Sequence, residues 1–207
     1  MIFALMGEGT SDRVLLPILR WVVERATPAS FSIAWVDTGS FRTGPKLADK
    51  VRAALSVQSC RLLFVHRDAD NQPPALRFGE IREAAQGHPY VACVPIRTTE
   101  AWLLINEQAI RAAAGRVSGR EALGLPSVSR LEQLSDPKQV LCDALVAAHG
   151  ATGRRARRFQ FGEARARLAD LVDDWSPLLQ LSAFQQLEAD TRAALTALGV
   201  PLHPEET

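Results

Sequence analysis

MIFALMGEGTSD, residues 1–12, decides the fold. Ile2 to Met6 is an unbroken apolar run that stops at two glycines flanking Glu8, and a helical pattern begins a few residues later. A short apolar run bounded by turn residues reads as a strand buried on both faces. Such a strand feeding a helix reads as the opening unit of an α/β sheet. Glycine at positions 7 and 9 permits unusual backbone dihedrals and lets another group approach the main chain closely. Glu8 is therefore expected at an exposed turn on the carboxyl edge of the sheet, with Asp12 about one helical turn further on.

The same alternation continues outward. Residues 31–37, 61–66 and 90–96 read as three more strands, and residues 12–26, 45–55 and 74–86 as the helices between them. Thr10 or Ser11 is the expected cap of the first helix, and Pro17 is expected to kink it. The fold class is thus α/β: a Rossmann-like, mainly parallel sheet of about four strands flanked by helices. From Thr99 onward the pattern is helical only, over residues 99–114, 137–149, 162–175 and 182–198. Residues 1–105 are expected to form the α/β core, 106–200 a C-terminal α-helical appendage packed on it, and 201–207 a frayed tail.

Composition narrows the class further. With 207 residues, 47% hydrophobic and 23% charged, the chain can bury a substantial core and reads as a soluble globular protein. No apolar run approaches the roughly 20 residues of a membrane helix. No secretory signal precedes the first strand, so no membrane association and a cytoplasmic location are expected. Cys60, Cys93 and Cys142 form neither a CxxC pair nor a zinc-ligand set, and read as small packing residues. The net charge of +1 conceals a basic stretch at 153–167, where Arg154, Arg155, Arg157 and Arg158 could grip nucleic-acid phosphates or simply coat a solvated loop. No GxxxxGK[ST] motif occurs, so any ATPase associated with the chain is a separate polypeptide.

In an open α/β sheet, ligands bind outside the carboxyl ends of the strands, and three acidic clusters fall there. Glu8 and Asp12 follow the first strand, Asp68 and Asp70 the third, Thr98 and Glu100 the fourth. Each cluster has a bland reading: Asp12 and Glu100 as acids complementing a helix dipole, Asp68-Ala69-Asp70 as a surface turn, Thr98 as a cap. In extended backbone, Asp68 and Asp70 would point to one side and share a cation. Carboxylates brought together repel, so three clusters on one edge suggest a hard divalent cation, Mg²⁺ or Mn²⁺, with oxygen ligands Glu8, Asp12, Asp68, Asp70 and Glu100. His66 reads as a strand-end packing or hydrogen-bonding residue. Trp102, Leu103, Leu104, Trp175, Leu178, Leu179 and Leu181 read as core.

The order ExxxD (Glu8, Asp12), DxD (Asp68, Asp70) and [ST]xE (Thr98, Glu100) resembles the Toprim domain of topoisomerases, primases and the OLD-type nucleases. The EAWLL continuation and the later DPK segment resemble a small Toprim-like family found beside ATPases in bacterial defence loci. The resemblance covers residues 1–105 well and the helical remainder loosely. It implies a Mg²⁺-dependent nuclease acting on DNA or RNA, with Glu8, Asp68, Asp70 and Glu100 catalytic and a later lysine assisting. Lys138 is the only candidate for that lysine. It also implies nucleic acid and a separate ATPase as partners, and leaves a homo-oligomer open. Two other readings remain: a non-catalytic Toprim-like binding or scaffold subunit, and a nucleotide-sugar transferase that holds a metal–diphosphate on the DxD pair.

Overall fold

The computed structural model describes residues 1–40, 44, 46–150 and 159–204. Four strands, β1 (Ile2–Met6), β2 (Ser32–Val36), β3 (Leu62–His66) and β4 (Tyr90–Cys93), make one all-parallel sheet in the order β2-β1-β3-β4. The connecting helices are α1 (Leu15–Ala26), α2 (Leu47–Val57) and α3 (Pro74–Ala84). Beyond β4 come α4 (Glu107–Ala113), α5 (Pro137–His149), α6 (Phe161–Leu171) and α7 (Ser182–Ala197). The expected α/β class, with a parallel sheet of four strands flanked by helices and helices at the C-terminal end, is what forms.

Strand periodicity divides the interior in two. Phe3 and Leu5 of β1 and Leu62 and Phe64 of β3 face one apolar layer, while Ala4, Met6, Leu63 and Val65 face the other. The second layer is closed by α2 and α3 through Val51, Ala54 and Ile81. The first is closed by α1 together with the C-terminal helices, so Leu145, Leu168, Trp175, Phe184 and Leu187 share one cluster with β1 and β3. Both faces are covered, which is why every residue of β3 is buried and why its sequence carries no polar alternation.

Local chemistry explains where the elements differ from expectation. A 3-10 helix (Thr10–Val14) precedes α1, and its start is capped not by Thr10 or Ser11 but by the Asp12 carboxylate, which accepts the backbone N–H of Gly9 at 3.2 Å. Pro17 then falls in the first turn of α1, at the junction with the 3-10 helix, and the helix continues unbroken past it to Ala26. The single helix expected over 99–114 is instead a 3-10 helix (Thr99–Leu103) followed by α4, whose start is fixed by the Asn106 side chain accepting the Ala109 N–H. Two further 3-10 helices, Val128–Gln133 and Ser176–Gln180, occupy segments without a marked period. β4 stops at Cys93, short of the expected 96.

The segment after α7 is tied down rather than frayed up to His203. Thr27 Oγ1 donates to the Pro201 carbonyl at 2.5 Å, and the His203 N–H donates to the Ala26 carbonyl at 2.9 Å. Pro45 and the basic residues Arg154, Arg155, Arg157 and Arg158 lie outside the described residues. Among the described residues no helix is long and apolar enough to cross a membrane.

Candidate functional site

The strand order reverses at β1: β2 lies on one side of it and β3 on the other, so a crevice opens beyond the carboxyl ends of β1 and β3. Met6 pairs with Val65 in register, which places Glu8 level with Arg67, and the two form an ion pair. Past β4 the main chain still follows β3: the Arg67, Ala69 and Asp70 N–H groups donate to the carbonyls of Cys93, Pro95 and Arg97. Residues 98–100 are thereby delivered beside Asp68.

Gly7 serves close approach rather than a special dihedral. A Cβ there would lie 2.6 Å from Asp12 Oδ2 and 3.0 Å from the Trp35 ring. Asp12 cannot give way freely, because Oδ2 accepts the Glu8 N–H at 2.8 Å as well as that of Gly9. Gly7→Ala is accordingly expected to destabilise the protein by about 1–3 kcal/mol through overpacking. A thermal melt coinciding with that of the parent would contradict this packing.

At the centre of the crevice is His66, buried at the end of β3. Its Nδ1 lies 3.0 Å from the Cys93 carbonyl, which can only accept, so Nδ1 carries the hydrogen. Nε2 then faces Asp68 Oδ1 at 3.4 Å, Asp12 Oδ2 at 3.7 Å and the Thr99 hydroxyl at 3.3 Å. The same Asp68 oxygen accepts the Thr99 N–H at 3.0 Å. Burial pushes the Asp68 carboxyl up from 3.8 to about 6; His66 opposes the rise, while Glu100, Asp12 and Glu8 add to it. Burial, followed by the negative charge of Asp68 and Asp12, also pushes the Cys93 thiol up, so it stays protonated.

The raised Asp68 carboxyl makes stability depend on pH in a definite sense. Between 3.8 and about 6 the folded chain holds a proton that the unfolded chain has lost, so stability falls as pH rises through that window and is level above it. Asp68→Asn keeps an acceptor for the Thr99 N–H and removes the penalty. In EDTA it is expected to be more stable than the parent at neutral pH by up to roughly 3 kcal/mol. Urea unfolding at several pH values checks this; the gap must widen between about pH 4 and 6.

The other expected site residues divide. Glu8 pairs with Arg67, which also reaches Glu80 at 3.0 Å. Glu100 is buried and pairs with Arg165 of α6, whose guanidinium also donates to the Ser11 carbonyl. Asp70 does not sit beside Asp68. It adopts the left-handed region, φ 53°, instead of extended backbone, and its carboxylate is 58% exposed and 3.9 Å from Arg77. The shared side expected of the DxD pair is therefore not formed. The Thr98 hydroxyl is buried without a hydrogen-bond partner. Lys138, at the start of α5, lines a cavity with Arg165 and has no ion pair among the described residues.

Compensation of the acids thus comes from Arg67, Arg165 and His66. Among the described residues no three His, Cys, Asp or Glu side chains are arranged as a metal-holding group. His66 is the strand-end hydrogen-bonding residue it was read as, while Arg67, Thr99 and Arg165 are site residues that the sequence did not disclose. The available signal was register for Arg67, offset from Val65 as Glu8 is from Met6; Arg165 offered none. Comparison with known protein families, with curated proteins and with solved structures gave no match.

Proposed function

We propose that the chain is a divalent-metal-dependent, Toprim-like phosphodiesterase acting on DNA or RNA. The observation that carries this reading is the convergence of carboxylates from three strand ends, Glu8, Asp12, Asp68 and Glu100, at the β1/β3 crevice of a parallel sheet. The donor set is all oxygen, which suits Mg²⁺ or Mn²⁺. Burial first, and then the neighbouring carboxylates, raise the Asp68 carboxyl, and a bound cation would favour its charged form against both.

Asp68 would hold the metal with Glu8 and Glu100 beside it, and the metal would supply an activated water and stabilisation of the phosphate's developing charge. Asp12 is committed to two backbone N–H groups and shapes the turn that presents Glu8. His66 and Thr99 orient the Asp68 carboxylate. Glu8 and Glu100 would coordinate through the oxygens left free by Arg67 and Arg165, which stay as cations beside the bound phosphate.

The same two ion pairs favour a second reading, a non-catalytic Toprim-like binding subunit, because they neutralise both glutamates without a metal. Supercoiled plasmid and single-stranded RNA, each incubated with Mg²⁺, Mn²⁺ or EDTA, separate the two. Metal-dependent cleavage of either supports the phosphodiesterase; Mn²⁺ binding without any cleavage supports the binding subunit. Action with a separate ATPase, as in a defence assembly, remains part of the proposal.

A further inference from the structure

We propose that a basic cavity next to the acidic crevice is a binding site for a nucleoside phosphate, supplied either as a free nucleotide or as the phosphorylated end of a nucleic-acid strand. The cavity measures about 680 Å³, within the roughly 300–1,000 Å³ of small-ligand pockets. One wall is the Thr10–Val14 3-10 helix with the first turns of α1, the facing wall is α6 from Phe161 to Asp170, and Lys138 stands at the start of α5.

Among the described residues four cations line it, Arg13, Arg20, Lys138 and Arg165, against one acid, Asp170. The side chains of Arg13, Arg20 and Lys138 are exposed and form no ion pair or hydrogen bond among the described residues, so three unpaired cations stand around one cavity. Like charges around one cavity repel, and an external anion would offset that cost. Arg165 is held in place by Glu100 and the Ser11 carbonyl, so one donor is fixed in advance.

The remainder of the lining tells a phosphate ester from a bare anion. Val14, Leu16, Pro17, Phe161 and Ala166 provide an apolar surface, with the Thr10 and Ser11 hydroxyls at its border. A ligand with a charged end and a flat, partly apolar end uses both halves: phosphate on the arginines, base and sugar against the Phe161 side. Inorganic phosphate would use only one. The site stands on these residues alone and does not depend on metal binding or cleavage.

Calorimetric titration of the whole chain in EDTA tests it, with adenosine and uridine 5′-monophosphates, the two nucleosides, inorganic phosphate, and an oligonucleotide with and without a 5′-phosphate. Binding of a monophosphate more tightly than its nucleoside or phosphate alone is expected for a free-nucleotide site. Binding of only the 5′-phosphorylated oligonucleotide assigns the strand end. In Arg13→Ala/Arg20→Ala, two surface changes whose folding a thermal melt verifies, the affinity is expected to fall at least about 10-fold. No binding of any phosphorylated probe, or equal binding by the double variant, overturns the proposal. Neither result bears on metal-dependent cleavage, which is read separately with Mg²⁺ or Mn²⁺.

Discussion

Asp68→Ala is expected to abolish metal-dependent cleavage, by at least about 100-fold, while leaving the protein folded. Removing even an outer-shell partner of a metal ligand costs about 10–100-fold, and Asp68 is placed at the centre of the proposed site. It is the residue on which three other carboxylates and His66 converge. Glu8→Ala is expected to act in the same direction, because Glu8 projects from the adjoining strand end at the level of Arg67. The measurement is the rate of plasmid nicking or RNA cleavage in Mg²⁺ or Mn²⁺, with circular dichroism as the folding control. Unaltered rates in both folded variants would remove the acidic crevice as the source of activity. Asp68 thus joins two opposite expectations: its loss ends cleavage, and its replacement by asparagine stabilises the metal-free fold. Sites that concentrate like charge for chemistry commonly show that opposition.

The largest loss of stability is expected from Trp102→Ala, at about 3–5 kcal/mol. Trp102 is fully buried in the 3-10 helix that carries Glu100. Its ring meets Phe184 of α7 edge-on at 5.4 Å between centroids, and Phe184 in turn lies 6.2 Å from Trp21 of α1. Removing the indole leaves a cavity at the junction of the sheet layer, α1 and α7 that none of these elements can close alone. Against a total stability of about 5–15 kcal/mol, such a loss is large, and it should appear as a lower urea midpoint at unchanged slope. Trp102→Phe retains most of the apolar surface and is expected to lose less. Parent and alanine variant with the same midpoint would show that the ring does not bear on the fold.

Elements were legible where their signals were local. β1 was readable from its apolar run and the glycine that ends it. α5 was readable because Asp136 caps it, Pro137 opens it and Gly150 follows in the left-handed region. The carboxylates of the site were legible as well, since sheet physics assigns the carboxyl ends of strands to ligands. What stayed hidden was decided by contacts distant in sequence or by short-range competition. Asp12 was read as a ligand sharing a site with Glu8 or as an acid at a helix start, and the turn it closes by accepting the Glu8 and Gly9 N–H groups was not foreseen. Asp70 was read as extended, but its N–H is drawn to the Arg97 carbonyl in a turn that aspartate tolerates with positive φ. The break before α4 was masked by the apolar run Ala101 to Ile105, and the Asn106 cap that fixes the start of α4 lay inside the single helix expected over 99–114. Arg67 and Arg165, the counter-charges of Glu8 and Glu100, were not read as part of the site, because only tertiary contacts bring them there.

The bond from Arg165 to Ser11 joins residues 154 positions apart, and that from Arg165 to Glu100 residues 65 apart. Contacts of such separation close late, after the chain between them has been ordered. During synthesis the sheet and its acids emerge first, while the arginine that neutralises Glu100 and walls the basic cavity arrives later with α6. The two candidate sites therefore share one late-arriving part. A chain lacking α6 keeps the Glu8–Arg67 pair but leaves Glu100 without its counter-charge and the basic cavity without its facing wall.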